Sequence, residues 1–197
     1  MNKSIDFFSR QFEHQIDASE YALNVFERRA LPYLQGDVLD LGCGLGNLSL
    51  AAAERDCRVT AIDACNRAVE DLQRRASSEA LDLKTEWTDL SDWTANADYD
   101  VVVSIGLLMF LDCHHSQRVL AEMQRAVRPG GVCVVNLLVE GTTFMTMFDE
   151  NRYCLYRPDE LLERFASWNV IDYQIEDFPS AEPGRIKRFA TIIARRP

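Results

Sequence analysis

Dense apolar runs and looser amphipathic stretches take turns along this chain. Val38-Leu39-Asp40-Leu41, Cys57 to Ile62, Leu81 to Trp87, Tyr99 to Ile105 and Val132 to Val139 are short and either apolar or alternating, as strands are. Between them apolar residues recur at three- and four-residue steps. The sets are Ala22, Val25, Phe26, Ala30 and Leu34 after Asp17-Ala18-Ser19-Glu20, then Leu48, Leu50, Ala51 and Ala52, then Ala68, Val69 and Leu72 within Arg67 to Ser77, and finally Val119, Leu120, Met123 and Val127. Such steps gather apolar side chains on one face of a helix. Tyr99 to Ile105 is apolar and β-branched almost throughout, which predicts a strand buried on both faces. Strand and helix in alternation predict a largely parallel sheet. Arg128-Pro129-Gly130-Gly131 predicts the end of one helix and Arg157-Pro158-Asp159-Glu160 the start of another, after which Val170 to Phe178 and Ile186 to Ala194 predict an antiparallel hairpin.

One break in the pattern carries chemistry. The apolar run at Val38 stops in Gly42-Cys43-Gly44-Leu45-Gly46 and resumes as a helical repeat near Asn47, so strand, tight turn and helix follow one another. Glycines allow positive φ and close approach of a ligand, and the free N–H groups of the following helix face the same place. The spacing is G-x-G-x-G, not the G-x-G-x-x-G of dinucleotide sites, and Asp40 stands two residues before the first glycine. A carboxylate there would repel a pyrophosphate and attract an ammonium. Asp63 ends the next strand, 21 residues after Gly42, where an acid can accept both hydroxyls of a ribose. Its competing role is to cap the following helix, for which Asn66 is the better candidate.

Asp40-Leu41-Gly42-Cys43-Gly44-Leu45-Gly46 resembles the first motif of class I S-adenosylmethionine-dependent methyltransferases. That resemblance covers almost the whole chain and implies a Rossmann-like, doubly wound, seven-stranded, mostly parallel α/β sheet with an antiparallel C-terminal hairpin. It further implies that the glycine turn, with Cys43, holds the methionine part of the cofactor. Asp63 and Ala64 would meet the ribose, Asp89 and the Leu90 N–H the adenine, and Ser104 and Ile105 would lie at the end of the fourth strand beside the cofactor. Asp92 is the nearest competitor of Asp89, as a helix cap or a solvated acid. The aromatics Phe7, Phe8 and Phe12 in residues 1–16 form either a lid over the cofactor or an ordinary N-terminal arm. Leu107 to Leu111, Met123-Gln124-Arg125 and Arg185 to Thr191 resemble the tellurite-resistance, TehB-type branch, which implies a catalytic role for Arg185 on an oxyanion. The His-Arg pair of that branch is missing here, where Glu176 to Ser180 stand, and an exposed edge-strand charge is the alternative role of Arg185. Phe144, Met145, Met147 and Phe148 lie where a substrate pocket would form, and packing under a loop is the equal alternative.

Composition narrows the remaining choices. With 197 residues and 47% hydrophobic content, one domain over 1–197 is expected. Thirty-one acids against twenty-one bases give a net charge of −10, which argues against a nucleic-acid partner. No apolar run reaches the length of a membrane span and Met1 to Asp6 lacks a signal core, so a soluble cytoplasmic protein is expected. Six scattered cysteines without C-x-x-C spacing are expected to be reduced thiols. Cys113-His114-His115 offers adjacent ligand types, but a metal site needs spaced pairs, so a polar helix start is expected and no metal. The region after the fourth strand lacks the Asn/Asp-Pro-Pro-aromatic turn of amino methylases, and no Pro-Cys pair supports covalent catalysis. These readings converge on methylation of a small molecule or an oxyanion, with S-adenosylhomocysteine as product. An NAD-type oxidoreductase and a non-catalytic, cofactor-binding regulatory module are the alternatives. Oligomeric state is not legible.

Overall fold

Seven strands form one sheet in a computed structural model that describes residues 3–150 and 152–197; the first two residues of the expected N-terminal segment lie outside it. They are β1 (Asp37–Leu41), β2 (Arg58–Asp63), β3 (Leu83–Trp87), β4 (Tyr99–Ile105), β5 (Val127–Leu138), β6 (Asn169–Pro179) and β7 (Ile186–Arg195). Their order is β3-β2-β1-β4-β5-β7-β6. The first five pair in parallel, and β7 runs antiparallel to both β5 and β6. The mostly parallel, doubly wound architecture is the expected one.

Among the described residues six α-helices flank the sheet: α1 (Lys3–Asp17), α2 (Val25–Ala30), α3 (Asn47–Ala53), α4 (Asn66–Ser78), α5 (Cys113–Ala126) and α6 (Glu160–Arg164). Alternation along each strand splits the core in two. Leu39, Leu41, Val102, Val135 and Leu137 meet Val119, Leu120 and Met123 of α5. Val38, Val101, Val103 and Val134 meet Ala52 of α3 and Leu72 of α4. Both faces of β4 are therefore filled, as its unbroken apolar run requires.

Several local expectations differ. Helix α2 starts after Asn24, not near Ser19, because Asn24 accepts from the N–H groups of Phe26 and Glu27 while Glu27 accepts from the Asn24 N–H at 2.7 Å. Pro32 then confines Leu31–Tyr33 to one 3-10 turn. Asn66 does not cap α4: it is the first helical residue, and its Nδ2 reaches Glu70. The Arg-Pro-Gly-Gly turn does not end α5, which stops at Ala126. Val127 already pairs with Tyr99 and Val132 with Val101, so the turn bulges out of β5 with Gly130 at φ +78°. Arg128, at the bulge, pairs with Asp37 and Asp100.

The expectation of six reduced thiols also fails. Cys113 and Cys154, 41 residues apart, form a disulfide that ties the start of α5 to the loop after β5; Cys43, Cys57, Cys65 and Cys133 are free and buried. Pairing of these two depends on chain folding, because the N–H of Cys154 binds the Met109 carbonyl just before α5. Among the described residues no helix is long and apolar enough to cross a membrane.

Candidate functional site

The strand order reverses between β1 and β4, and a crevice outside the carboxyl ends of the strands is the geometric result. A cavity of about 660 Å³ opens there. Gly42, Cys43, Gly44 and Gly46 line it after β1, Asp63 and Ala64 after β2, and Asp89 and Leu90 after β3. Ile105 lines it at the end of β4. Nine of the residues singled out from sequence are thus brought together by the ends of four strands.

Three glycines shape the turn for two different reasons. Gly42, Gly44 and Gly46 have φ of +73°, +53° and +66°, a region that side chains rarely enter. A Cβ on Gly44 would stand 3.0 Å from the Phe12 ring, so this glycine lets α1 close over the turn. A Cβ on Gly46 would meet Leu72 at 2.3 Å, so this one serves the packing of α4. The N–H groups of Gly42 and Cys43 both donate to the Ile62 carbonyl, at 2.8 and 3.1 Å, which fixes the turn to β2.

Asp63 links turn and strand. Its Oδ2 accepts from the Gly44 N–H at 2.9 Å and its Oδ1 from the Cys65 N–H at 2.8 Å. Burial raises its pKa, against the lowering effect of these backbone N–H groups. Asp89 accepts from the Ser91 N–H at 2.9 Å, which holds its carboxyl below the usual value, and Leu90 follows as the first residue of a one-turn 3-10 helix. Asp92 is the third residue of that turn, so it is Asp89 that caps. Trp87 lies over the outside of the Ala64 loop and donates its indole N–H to the Ala64 carbonyl at 3.0 Å.

Three expected residues are not brought to the cavity. Asp40 lies beneath the turn, 4% exposed, where it accepts from the Ser49 hydroxyl at 2.6 Å; burial pushes its pKa up to about 7. Ser104 is wholly buried in β4, its hydroxyl without a partner, and only its neighbour Ile105 faces the opening. Arg185 is exposed in the β6–β7 turn, where its backbone N–H binds the Glu182 carbonyl and its carbonyl accepts from Ser180. Arg185 is not among the residues that line the opening, whereas Lys187, two residues into β7, is.

The aromatic N-terminal segment covers the opening. Phe8 packs on Phe110 at 4.8 Å, Phe12 lies on Gly44, and the Ser9 hydroxyl reaches Cys65 Sγ at 3.3 Å. On the far side stand residues that sequence reasoning missed: Asn24 and Glu27 at the start of α2, Asn136 in β5 and Lys187 in β7. A signal existed for two of them. Asn24-x-x-Glu27 is a capping box, and Asn136 is the one polar residue in Val132 to Val139. Asp112, His114 and His115 lie close enough to share an ion. Their hydrogen bonds are those of a helix cap, Asp112 accepting from the His115 N–H at 3.1 Å and contacting its Nδ1 at 2.6 Å.

Comparison with known proteins agrees with this arrangement. Residues 38–131 match a family described as a methyltransferase domain. Hemagglutinin 1 of Eikenella corrodens is 29% identical over 171 residues, 81% of this chain and 54% of that protein. The probable S-adenosyl-L-methionine-dependent methyltransferase TehB of Haemophilus influenzae (strain 10810) is 30% identical over 173 residues, 81% of this chain and 57% of that protein. The chain thus spans little more than half the length of these relatives. The crystal structure of TehB from Haemophilus influenzae superposes with a TM-score of 0.78 at 21% identity, covering 93% of this chain and 65% of that one, a likeness of fold. Residues 38–131 thus match a methyltransferase domain, and most of the chain is similar in sequence to TehB, a probable S-adenosylmethionine-dependent methyltransferase, whose fold it shares.

Proposed function

We propose that the chain is a working methyltransferase that binds S-adenosylmethionine in the cavity and methylates a small molecule or an oxyanion. Asp63 carries the argument. It is a half-buried carboxylate on the cavity wall whose hydrogen bonds come from backbone N–H groups, so oxygen lone pairs remain to accept two vicinal hydroxyls. The lining fits the cofactor in charge as well, since Glu27, Asp63 and Asp89 are acidic and the cofactor carries a sulfonium and an ammonium. The turn from Gly42 to Gly46, with Cys43, would hold the methionine part, Asp63 and Ala64 the ribose, Asp89 and the Leu90 N–H the adenine, and Ile105 the adjoining wall. Asp40 and Ser104 would act from beneath, by supporting the turn and β4.

When bound, the cofactor supplies a methyl group already activated on sulfur. The side chains therefore have to orient the acceptor and keep water out, which accounts for most of the acceleration such a site needs. The cover of Phe8 and Phe12 suits the second task, as a lid. Calorimetry with S-adenosylhomocysteine and with NAD tests the cofactor: micromolar binding of the first and none of the second is expected, and the reverse would make the chain an oxidoreductase. Turnover of S-adenosylmethionine to S-adenosylhomocysteine with an acceptor library separates an enzyme from a regulatory module.

A further inference from the structure

The cavity has two ends of opposite character. The acids Asp63 and Asp89 stand at the strand ends on the side of β2 and β3, while Glu27, on α2, is held by the N–H of Asn24. Among the described residues that line the cavity, Lys187 is the single cation. Its ammonium lies 4.9 Å from the centre of the Phe144 ring, and among the described residues no carboxylate is paired with it. The neighbouring Arg188, by contrast, is paired with Asp177 through two bonds of 2.7 and 2.8 Å. Half-burial without an anion lowers the pKa of Lys187, a cost that a ligand anion would remove.

Asn136 makes the same end a built site. It is 1% exposed, and its amide Nδ2 donates to the Thr191 hydroxyl at 2.9 Å. Its Oδ1 is buried with no partner, although Asn136 lines the cavity. A buried carbonyl oxygen without a donor costs about 1 to 3 kcal/mol, so such a group in an otherwise apolar strand calls for a partner that comes from outside. Around these two polar groups the walls are Leu138, Phe144, Met147 and Phe189. A small hydrated inorganic ion would gain nothing from them, whereas an organic body would bury apolar surface.

We propose that the methyl acceptor is a small organic anion, an apolar body that sets a carboxylate or similar oxyanion on Lys187 and an O–H or N–H on the Oδ1 of Asn136. The inference rests on the methyltransferase reading and adds the acceptor class to it. The charge that orients the acceptor comes from Lys187 in β7 and not from Arg185 at the hairpin tip. The separation of signs in the cavity also keeps the two ligands in order, because a cationic cofactor is drawn to the acidic end and an anionic acceptor to the other.

The test uses 4-hydroxybenzoate, 4-hydroxyphenylacetate and 4-aminobenzoate, their methyl esters, benzoate and sodium tellurite, titrated calorimetrically into full-length protein saturated with S-adenosylhomocysteine. At least one acid is expected to bind tenfold or more tightly than its own ester and than tellurite. Lys187→Met, folded by circular dichroism, should abolish the preference of acid over ester. Asn136→Leu should weaken 4-hydroxybenzoate severalfold while leaving benzoate, which has no hydroxyl, unchanged. The proposal is overturned if no acid binds more tightly than its ester, if Lys187→Met retains the preference, or if tellurite binds more tightly than every acid. Failure of S-adenosylhomocysteine itself to bind would instead overturn the methyltransferase reading, so the two failures are distinguishable.

Discussion

A single carboxyl under the glycine turn sets a pH dependence that can be worked out in sign. Asp40 has its pKa raised from 3.8 to about 7, chiefly by burial, with Glu27 and Asp63 adding to the rise and the Ser49 hydroxyl opposing it. Between those two values the folded chain holds more protons than the unfolded one, so Asp40 makes stability fall as pH rises from about 4 to about 7. Asp40→Asn keeps an acceptor for Ser49 and removes that slope. Thermal melts of the cofactor-free protein should show the variant gaining on the wild type across this window, by roughly 4 kcal/mol at pH 8; parallel curves would show that Asp40 does not titrate there. At Asp63 the expected effect is on affinity. Asp63→Ala should weaken S-adenosylhomocysteine binding tenfold or more by calorimetry, since hydrogen bonds to a charged group contribute about 1.5 to 3 kcal/mol. Unchanged affinity would leave Asp63 as a brace between β2 and the turn. Asp63 and the glycines were legible in the sequence because a strand end and a turn impose spacing. Asp40 was legible as an acid but not in its direction, because alternation along β1 turns it under the turn and only the folded sheet shows which face that is.

Among the elements, the cross-link from α5 to the loop after β5 is the one whose removal has a calculable cost. Closing a loop of 41 residues restrains the unfolded chain by up to about 4 kcal/mol in the chain-entropy account. Cys113→Ser should therefore lower the denaturant midpoint under oxidising conditions, and a reductant should lower the wild type to the level of the variant. Equal midpoints for oxidised wild type and variant would show that the tether is not formed in solution. That loop carries Phe144 and Met147 to the cavity, so the tether bears on the end proposed for the acceptor as well. Element types and order followed from periodicity, but two boundaries and one cross-link did not. Helix α2 is delayed by a capping box at Asn24 that competes with Ser19. The turn after α5 is absorbed into β5 as a bulge, because Val127 can pair with Tyr99 before the glycines are reached. The pairing of Cys113 with Cys154 could not be read from spacing, since only folding brings the two together.

Across the whole molecule, the cavity draws on both ends of the chain. The residues proposed to hold the cofactor follow one another along the first four strands, and this made their end legible. The proposed acceptor side is assembled from β5, the loop after it and β7, each giving two residues, so no local pattern announces it. The same arrangement puts one indole in a telling place. Trp93 is buried and Trp168 packs edge-on against Phe165 at 5.2 Å, but Trp87 is 62% exposed and bonded to the carbonyl of Ala64 on the cavity rim. Titration with S-adenosylhomocysteine should change the long-wavelength tryptophan emission, and Trp87→Phe should remove that change; a response that survives the substitution would come from another site. The protein then carries its own optical gauge of cofactor occupancy, and stopped-flow fluorescence can time the arrival and departure of the cofactor without a label or a known acceptor.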